Sequence, residues 1–190
     1  MSTHLYLVRH AHSVYSADEF GRPLSEQGRH DALLVTECLK TEGIDQVISS
    51  PYQRAKETVQ GIASIIHKEI EIISDLRERQ LSRVPVNDFN LAIDKVWQDP
   101  NFSFEGGESN HKAQRRGVQV ILQLLMKYAG KRIVVGTHGN LMVLIMQHFD
   151  ERYNYEFWKT LDMPDIYRFS FDGQHLKEVK RLWKRSQRDE

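Results

Sequence analysis

Two histidines, two arginines and a glutamate hold the positions from which joint chemistry can be expected in this sequence. His10 follows Arg9 where the apolar run 5–8 ends, and His138 stands where the β-branched run 132–137 ends, just ahead of Gly139 and Asn140. Arg54 closes the stretch Ser49-Ser50-Pro51-Tyr52-Gln53-Arg54, and Glu78 lies within Asp75-Leu76-Arg77-Glu78-Arg79. A neutral imidazole is a competent nucleophile at phosphorus, and a nearby carboxylic acid can protonate a leaving oxygen. Arginine presents a planar fork of donors to phosphate oxygens, and a phosphoryl group in transfer is stabilised mainly by preorganised positive charge. His138-Gly139 at the start of a helix adds backbone donors and the positive end of a dipole. Together these groups fit a phosphate better than any other target.

Other readings stand beside this one. His10 and His12 form a His-x-His pair that could ligate a metal, a reading that needs further ligands and the much longer chain of a barrel. His12 otherwise reads as a hydrogen-bonding residue at a pocket rim. Arg54 taken alone would be a helix-surface cation. Glu78, between Arg77 and Arg79, could be a solvated salt-bridge residue; Glu108 is then the fallback acid, although it also suits the dipole of the helix that follows it. Trp97, Phe102 and Phe104 either line a substrate mouth or pack in the core.

The elements that must carry these residues can be read from periodicity. Apolar runs at 5–8, 47–48, 70–73 and 132–137 predict strands. Between them, apolar faces at Ala32, Val35 and Leu39, at Ala55, Val59, Ile62 and Ile66, and at Val118, Ile121 and Leu125 predict helices. Ser25 and Ser109 are placed as N-terminal caps, Gly43 to stop the first helix, and Pro51 in the first turn of the second. A weaker helix is expected around Phe89, Ile93 and Trp97, and residues 141–149 are apolar nearly all round, as in a helix packed against a sheet. Tyr167, Phe169 and Phe171 alternate with polar residues ahead of an Asp172-Gly173 hairpin turn. The fold class expected is α/β, three layers α/β/α around a mainly parallel sheet, in which ligands bind at the carboxyl ends of the strands.

Composition narrows the partners. The 190 residues carry 26 Lys+Arg against 26 Asp+Glu, and a neutral balance argues against a polyanion-binding surface, so neither nucleic acid nor a membrane is expected as partner. No apolar stretch reaches 18 residues and the N-terminus does not read as a signal peptide, so a cytoplasmic location is expected. The lone Cys38 reads as a small buried thiol. The basic stretch 177–190 reads as a last strand with a solvated end, specific anion binding being the alternative.

Leu7-Val8-Arg9-His10-Ala11 resembles the strand-ending arginine-histidine-glycine signature of the histidine phosphatase superfamily, the phosphoglycerate-mutase-like proteins. Similar family segments follow in order: Pro23-Leu24-Ser25-Glu26-Gln27-Gly28, Ser49 to Thr58, Leu76-Arg77-Glu78, Gly106-Gly107-Glu108-Ser109 and Gly136-Thr137-His138-Gly139-Asn140. The resemblance implies that His10 accepts the phosphoryl group, that Arg9, Arg54 and His138 hold its oxygens, and that Glu78 is the acid and later the base. His12, Ser16, Gly139 and Asn140 are candidates for lining the substrate, and no metal or cofactor is implied. Ala11 stands where glycine is usual, and Ser16 where the mutase branch has asparagine. Residues 79–106 make only a small cap-like insertion in one domain, short for a mutase cap. Less shelter from water favours hydrolysis, so the expected function is phosphomonoester hydrolysis on a small-molecule ester. Phosphoglycerate mutase and a catalytically silent phospho-ligand or protein-binding module are the alternatives, and the oligomeric state stays open.

Overall fold

The computed structural model describes residues 1–184. Its elements run β1 (Ser2–Arg9), α1 (Glu26–Leu39), β2 (Gln46–Ser49), α2 (Gln53–Ile65), β3 (Glu71–Ile72), α3 (Phe89–Gln98), α4 (Asn110–Lys127), β4 (Arg132–Thr137), α5 (Gly139–Phe149), α6 (Tyr155–Thr160), β5 (Asp165–Asp172) and β6 (His175–Arg181), with a 3-10 turn at Ser74–Leu76. The strands form one sheet in the order β3-β2-β4-β1-β5-β6. From β3 to β1 the neighbours are parallel; β5 runs antiparallel to β1, and β6 returns antiparallel to β5.

Alternation along the central strands sorts the side chains into two cores. Leu5, Leu7, Ile48, Ile133 and Val135 face α4 and α5, where Ile121, Leu124, Leu141 and Ile145 meet them. Tyr6, Val8, Val47 and Val134 face α1 and α2, meeting Val35, Leu39, Val59 and Ile62. Each such aliphatic side chain contributes about 1.5–3 kcal/mol when removed from water, so a strand buried on both faces reads as an unbroken apolar run. The result is the expected three-layer α/β/α arrangement with a mainly parallel sheet.

Helix starts follow the sequence more closely than helix ends do. The Ser25 hydroxyl accepts from Gly28 N and the Ser109 hydroxyl from Lys112 N, each capping the helix that follows. Gly43 does not stop α1, which ends at Leu39; it sits in the next loop with φ 66°. Pro51 lies outside α2, whose N-cap is Tyr52. α6 was not anticipated, because six residues are too few for periodicity to register. Cys38 is half-buried, its thiol 3.8 Å from the Leu182 carbonyl. β6 and Trp183, which packs in the core, account for part of the basic stretch, and residues 185–190, where the rest of that reading falls, lie outside the described residues. Among the described residues no helix is long and apolar enough to cross a membrane.

Two features of this frame position the site. In the parallel pair β1 and β4, Arg9 stands opposite Thr137, so His10 and His138 leave adjacent strands at the same level. Between the 3-10 turn and α4 the chain makes an excursion that carries α3; its two ends are tied by Arg83 N–H to the Glu105 carbonyl and Glu108 N–H to the Gln80 carbonyl.

Candidate active site

His10 is buried at the end of β1, and two hydrogen bonds assign its tautomer. Its Nδ1 lies 2.7 Å from the Ala11 carbonyl oxygen, which can only accept, so Nδ1 carries the proton. The Arg54 Nε–H donates to Nε2 at 3.3 Å, which requires a lone pair there. Burial, with the Arg54, Arg9 and Arg22 charges, pushes the His10 pKa down to about 3, against the pull of the Ala11 hydrogen bond. The ring is therefore neutral with its unprotonated nitrogen turned toward a guanidinium. The peptide that orients it is itself fixed: Ala11 N–H donates to Thr58 Oγ1, and Thr58 Oγ1–H donates to the Arg54 carbonyl. Ala11 is fully buried and has no positive φ, which explains why alanine serves there. Gly28 is needed, because a Cβ on it would come within 2.0 Å of the His12 carbonyl oxygen where α1 docks on this loop.

His138, fully buried, stands edge-on to His10 with ring centroids 5.2 Å apart. Ser50 Oγ lies 2.7 Å from His138 Nε2. With that hydroxyl donating, the proton of the neutral ring is on Nδ1, the atom left without a partner. Burial first, then the neighbouring His10 ring and the Arg54 charge, holds the His138 pKa well below the ordinary histidine value. Arg9 reaches from the end of β1 to the Leu161 and Asp162 carbonyls through Nη1, while its Nε is buried and unpartnered. Gly139 permits this, since a Cβ there would sit 3.0 Å from that Nε. Arg54 holds the Glu19 carboxylate and carbonyl, at 3.1 and 2.9 Å.

Glu78 caps α5. Its Oε1 accepts from Arg79 N and Leu141 N at 2.8 and 3.0 Å, and its Oε2 accepts from Asn140 N at 3.0 Å and, at 3.5 Å, from Asn140 Nδ2. The α5 amides expected to meet a phosphate are thus given to Glu78. Oε1 thus accepts from two backbone amides, and Oε2 from one backbone amide and, at longer range, one side-chain amide. Behind it, Arg116 makes a bidentate pair with Glu108 at 2.8 and 2.7 Å and donates to the Asp75, Arg77 and Glu78 carbonyls. The fallback acid is therefore committed to a nearly buried ion pair that splints the Glu78 segment, and it does not line the cavity.

A cavity of about 520 Å³ opens over these groups. Arg9, His10, His12, Arg54, Glu78, Gly139 and Asn140 line it, and His138 stands behind His10. Ser16 does not; its hydroxyl accepts from Asp18 N within its own loop. Nor do Trp97, Phe102 and Phe104: Trp97 stacks on Tyr155, and Phe102 and Phe104 meet edge to face. The apolar wall comes instead from Leu81, Phe89 and Ile93 of the excursion, with Trp158 and Met163. Arg22 and Arg79 also line the cavity. Sequence reasoning gave them no role, although Arg79 adjoins the acid segment. His12 turns its Nδ1 to Ser25 Oγ on the exposed rim, and among the described residues no group of three or more His, Cys, Asp or Glu is placed to hold a metal ion.

Comparison with known proteins shows the family and the fold. Residues 5–183 match the family model described as histidine phosphatase superfamily (branch 1). A metal-independent phosphoserine phosphatase of Arabidopsis thaliana is 28% identical over 156 residues, 74% of this chain and 66% of that one. A phosphoglycerate mutase-like protein of the same plant is 31% identical over 73% of this chain and 67% of its own length. The chain thus spans about two thirds of these relatives. Among solved structures, a mycobacterial glucosyl-3-phosphoglycerate phosphatase superposes with a TM-score of 0.77, covering 96% of this chain and 99% of that one at 18% identity, a likeness of fold.

Proposed function

The chain belongs to the histidine phosphatase superfamily, and from that premise we propose that it hydrolyses small phosphomonoesters through a phosphohistidine on His10. The observation that carries this reading is the state of the His10 ring. Nδ1 is tied to a carbonyl, Nε2 bears the lone pair, and the ring stays neutral because it is buried among cations.

An incoming phosphate takes the place of the Glu19 carboxylate on Arg54. That contact yields readily, because the Glu19 side chain is half exposed. Arg9, which lines the cavity, has an unpartnered Nε to offer the phosphate. His10 Nε2 forms a bond to phosphorus as the ester P–O bond breaks, and the leaving oxygen takes the proton held on Glu78. In the second half, Glu78 accepts a proton from water, the water oxygen bonds to phosphorus, the P–N bond breaks and His10 is restored with release of phosphate. The excursion at 79–106 acts as a small cap that supplies the apolar wall against the organic part of the ester.

Relatives named for phosphoserine and phosphoglycerate supply the first probes. Incubation with phosphoserine and with 3-phosphoglycerate is expected to release inorganic phosphate. Conversion of 3-phosphoglycerate to its 2-phospho isomer without phosphate release would overturn the reading in favour of a mutase.

A further inference from the structure

Arg9 is gripped from a side that the phosphate chemistry does not use. Its Nη1 donates to the Leu161 and Asp162 carbonyls at 3.2 and 3.1 Å, on the connection between α6 and β5. A guanidinium is planar and rigid, so pinning Nη1 to two carbonyls sets where its other donors point, the unpartnered Nε among them. The position of those carbonyls therefore decides how well Arg9 meets an anion in the cavity.

An ion pair outside the cavity fixes the carbonyls. Asp165 stands opposite Arg9 in the β1–β5 register and is fully buried. Its Oδ2 accepts from Asp162 N and its Oδ1 from Ile166 N, both at 3.0 Å, so the carboxylate closes the turn 162–165 on itself. Arg181 of the edge strand β6 forks the same carboxylate, Nε to Oδ1 at 2.9 Å and Nη2 to Oδ2 at 2.8 Å, and Nη2 also reaches Asp162 Oδ2 at 2.7 Å. Both ends of the turn are thus tied to one guanidinium on the neighbouring strand. Neither Asp165 nor Arg181 lines the cavity, whereas Met163 of the same turn does. Taking a carboxylate out of water costs about as much as pairing it returns, so the pair is better explained by the geometry it imposes than by the stability it adds. Charge acts in the same sense: burial lowers the Arg9 pKa, and the Glu78, Asp165 and Asp162 charges oppose that shift.

We propose that Asp165 and Arg181 are positioning residues for phosphate binding, which lock the turn 161–165 so that Arg9 presents its Nε side to the phosphate. For turnover the inference rests on the proposed phosphatase reaction; for phosphate affinity it rests on the geometry alone. Loss of the lock is expected to cost about one charge-assisted hydrogen bond to the anion, a factor of about ten in affinity.

A double-mutant cycle read by calorimetric titration with inorganic phosphate tests it. Arg181→Gln should bind phosphate about tenfold more weakly than wild type, and Arg9→Gln at least as weakly. The double variant should bind within about threefold of Arg9→Gln, because a residue that acts through Arg9 has nothing left to position. A purely structural role would instead give additive losses, and additivity would overturn the proposal. So would an unchanged affinity in Arg181→Gln, or a wild type that binds no phosphate. The Arg181 side chain is 41% exposed, which favours a folded variant. If Arg181→Gln does not fold, Arg181→Lys keeps a cation beside Asp165 without the fork, and the same cycle should show a loss of about threefold that vanishes in the Arg9→Gln background; full retention of affinity would count against the proposal. Turnover of 3-phosphoglycerate and phosphoserine separates the two readings. No turnover of either, with phosphate affinity still following the cycle, sinks the phosphatase reading and leaves the positioning pair standing; turnover with an additive cycle does the reverse.

Discussion

At the scale of single residues, the site is built by fixing two buried histidines. One carbonyl and one guanidinium decide which nitrogen of His10 is free, and one hydroxyl holds the His138 ring at Nε2. A pH dependence follows. In the unfolded chain His10 takes a proton near pH 6.5, and in the fold only near pH 3. Between those values the unfolded state binds more protons, so the stability tied to neutral His10 is fully present above about pH 6.5 and is lost as the pH falls toward 3, at up to about 1.4 kcal/mol per unit. His138 acts in the same direction. Denaturant unfolding of the wild type is expected to weaken from pH 7 to pH 5, and less so in His10→Gln; identical slopes in the two proteins would contradict the burial argument. The main residues were legible because strand ends expose them: His10, His138 and Arg9 each end or follow a strand. Ser50 and Thr58 were not, because their parts depend on partners that only tertiary structure brings near, such as the 88 residues that separate Ser50 from His138.

At the scale of elements, α5 and the Glu78 segment hold each other. The amides at the N-terminus of α5 bind the Glu78 carboxylate, and the Arg116–Glu108 pair fixes the carbonyls of the same segment from behind. In the proposed reaction Arg116 would be a positioning residue that acts through Glu78. Arg116→Lys keeps the charge and loses the fork, and it is expected to slow alkyl phosphates about tenfold more than aryl phosphates, whose leaving groups need no acid. Equal slowing of both classes would show that Arg116 matters only for stability. Strands and long helices were readable from period and caps, since burial on both faces writes itself into composition. The short α6 and the path of residues 79–106 were not, because few apolar residues there repeat at any fixed period. Phe89 and Ile93 do repeat and read as an ordinary helix face; that they line the cavity depends on how α3 docks, which no period records.

At the scale of the whole molecule, neutrality and function are reconciled by distribution. Four arginines are gathered at one cavity in a chain whose charges sum to zero, which suits a single compact anion and not a polyanion surface. The register of β1 against β4 brings residues 128 positions apart into one site, since Arg9 opposite Thr137 sets His10 beside His138. The central claim is that the phosphoryl group rests on His10 between the two half-reactions. Rapid acid-free quench of the protein during turnover of a radiolabelled phosphomonoester tests it most directly. The account predicts a base-stable, acid-labile label on His10 that is absent from His10→Ala; a stoichiometric label that persists in His10→Ala, or one that survives acid, would contradict it.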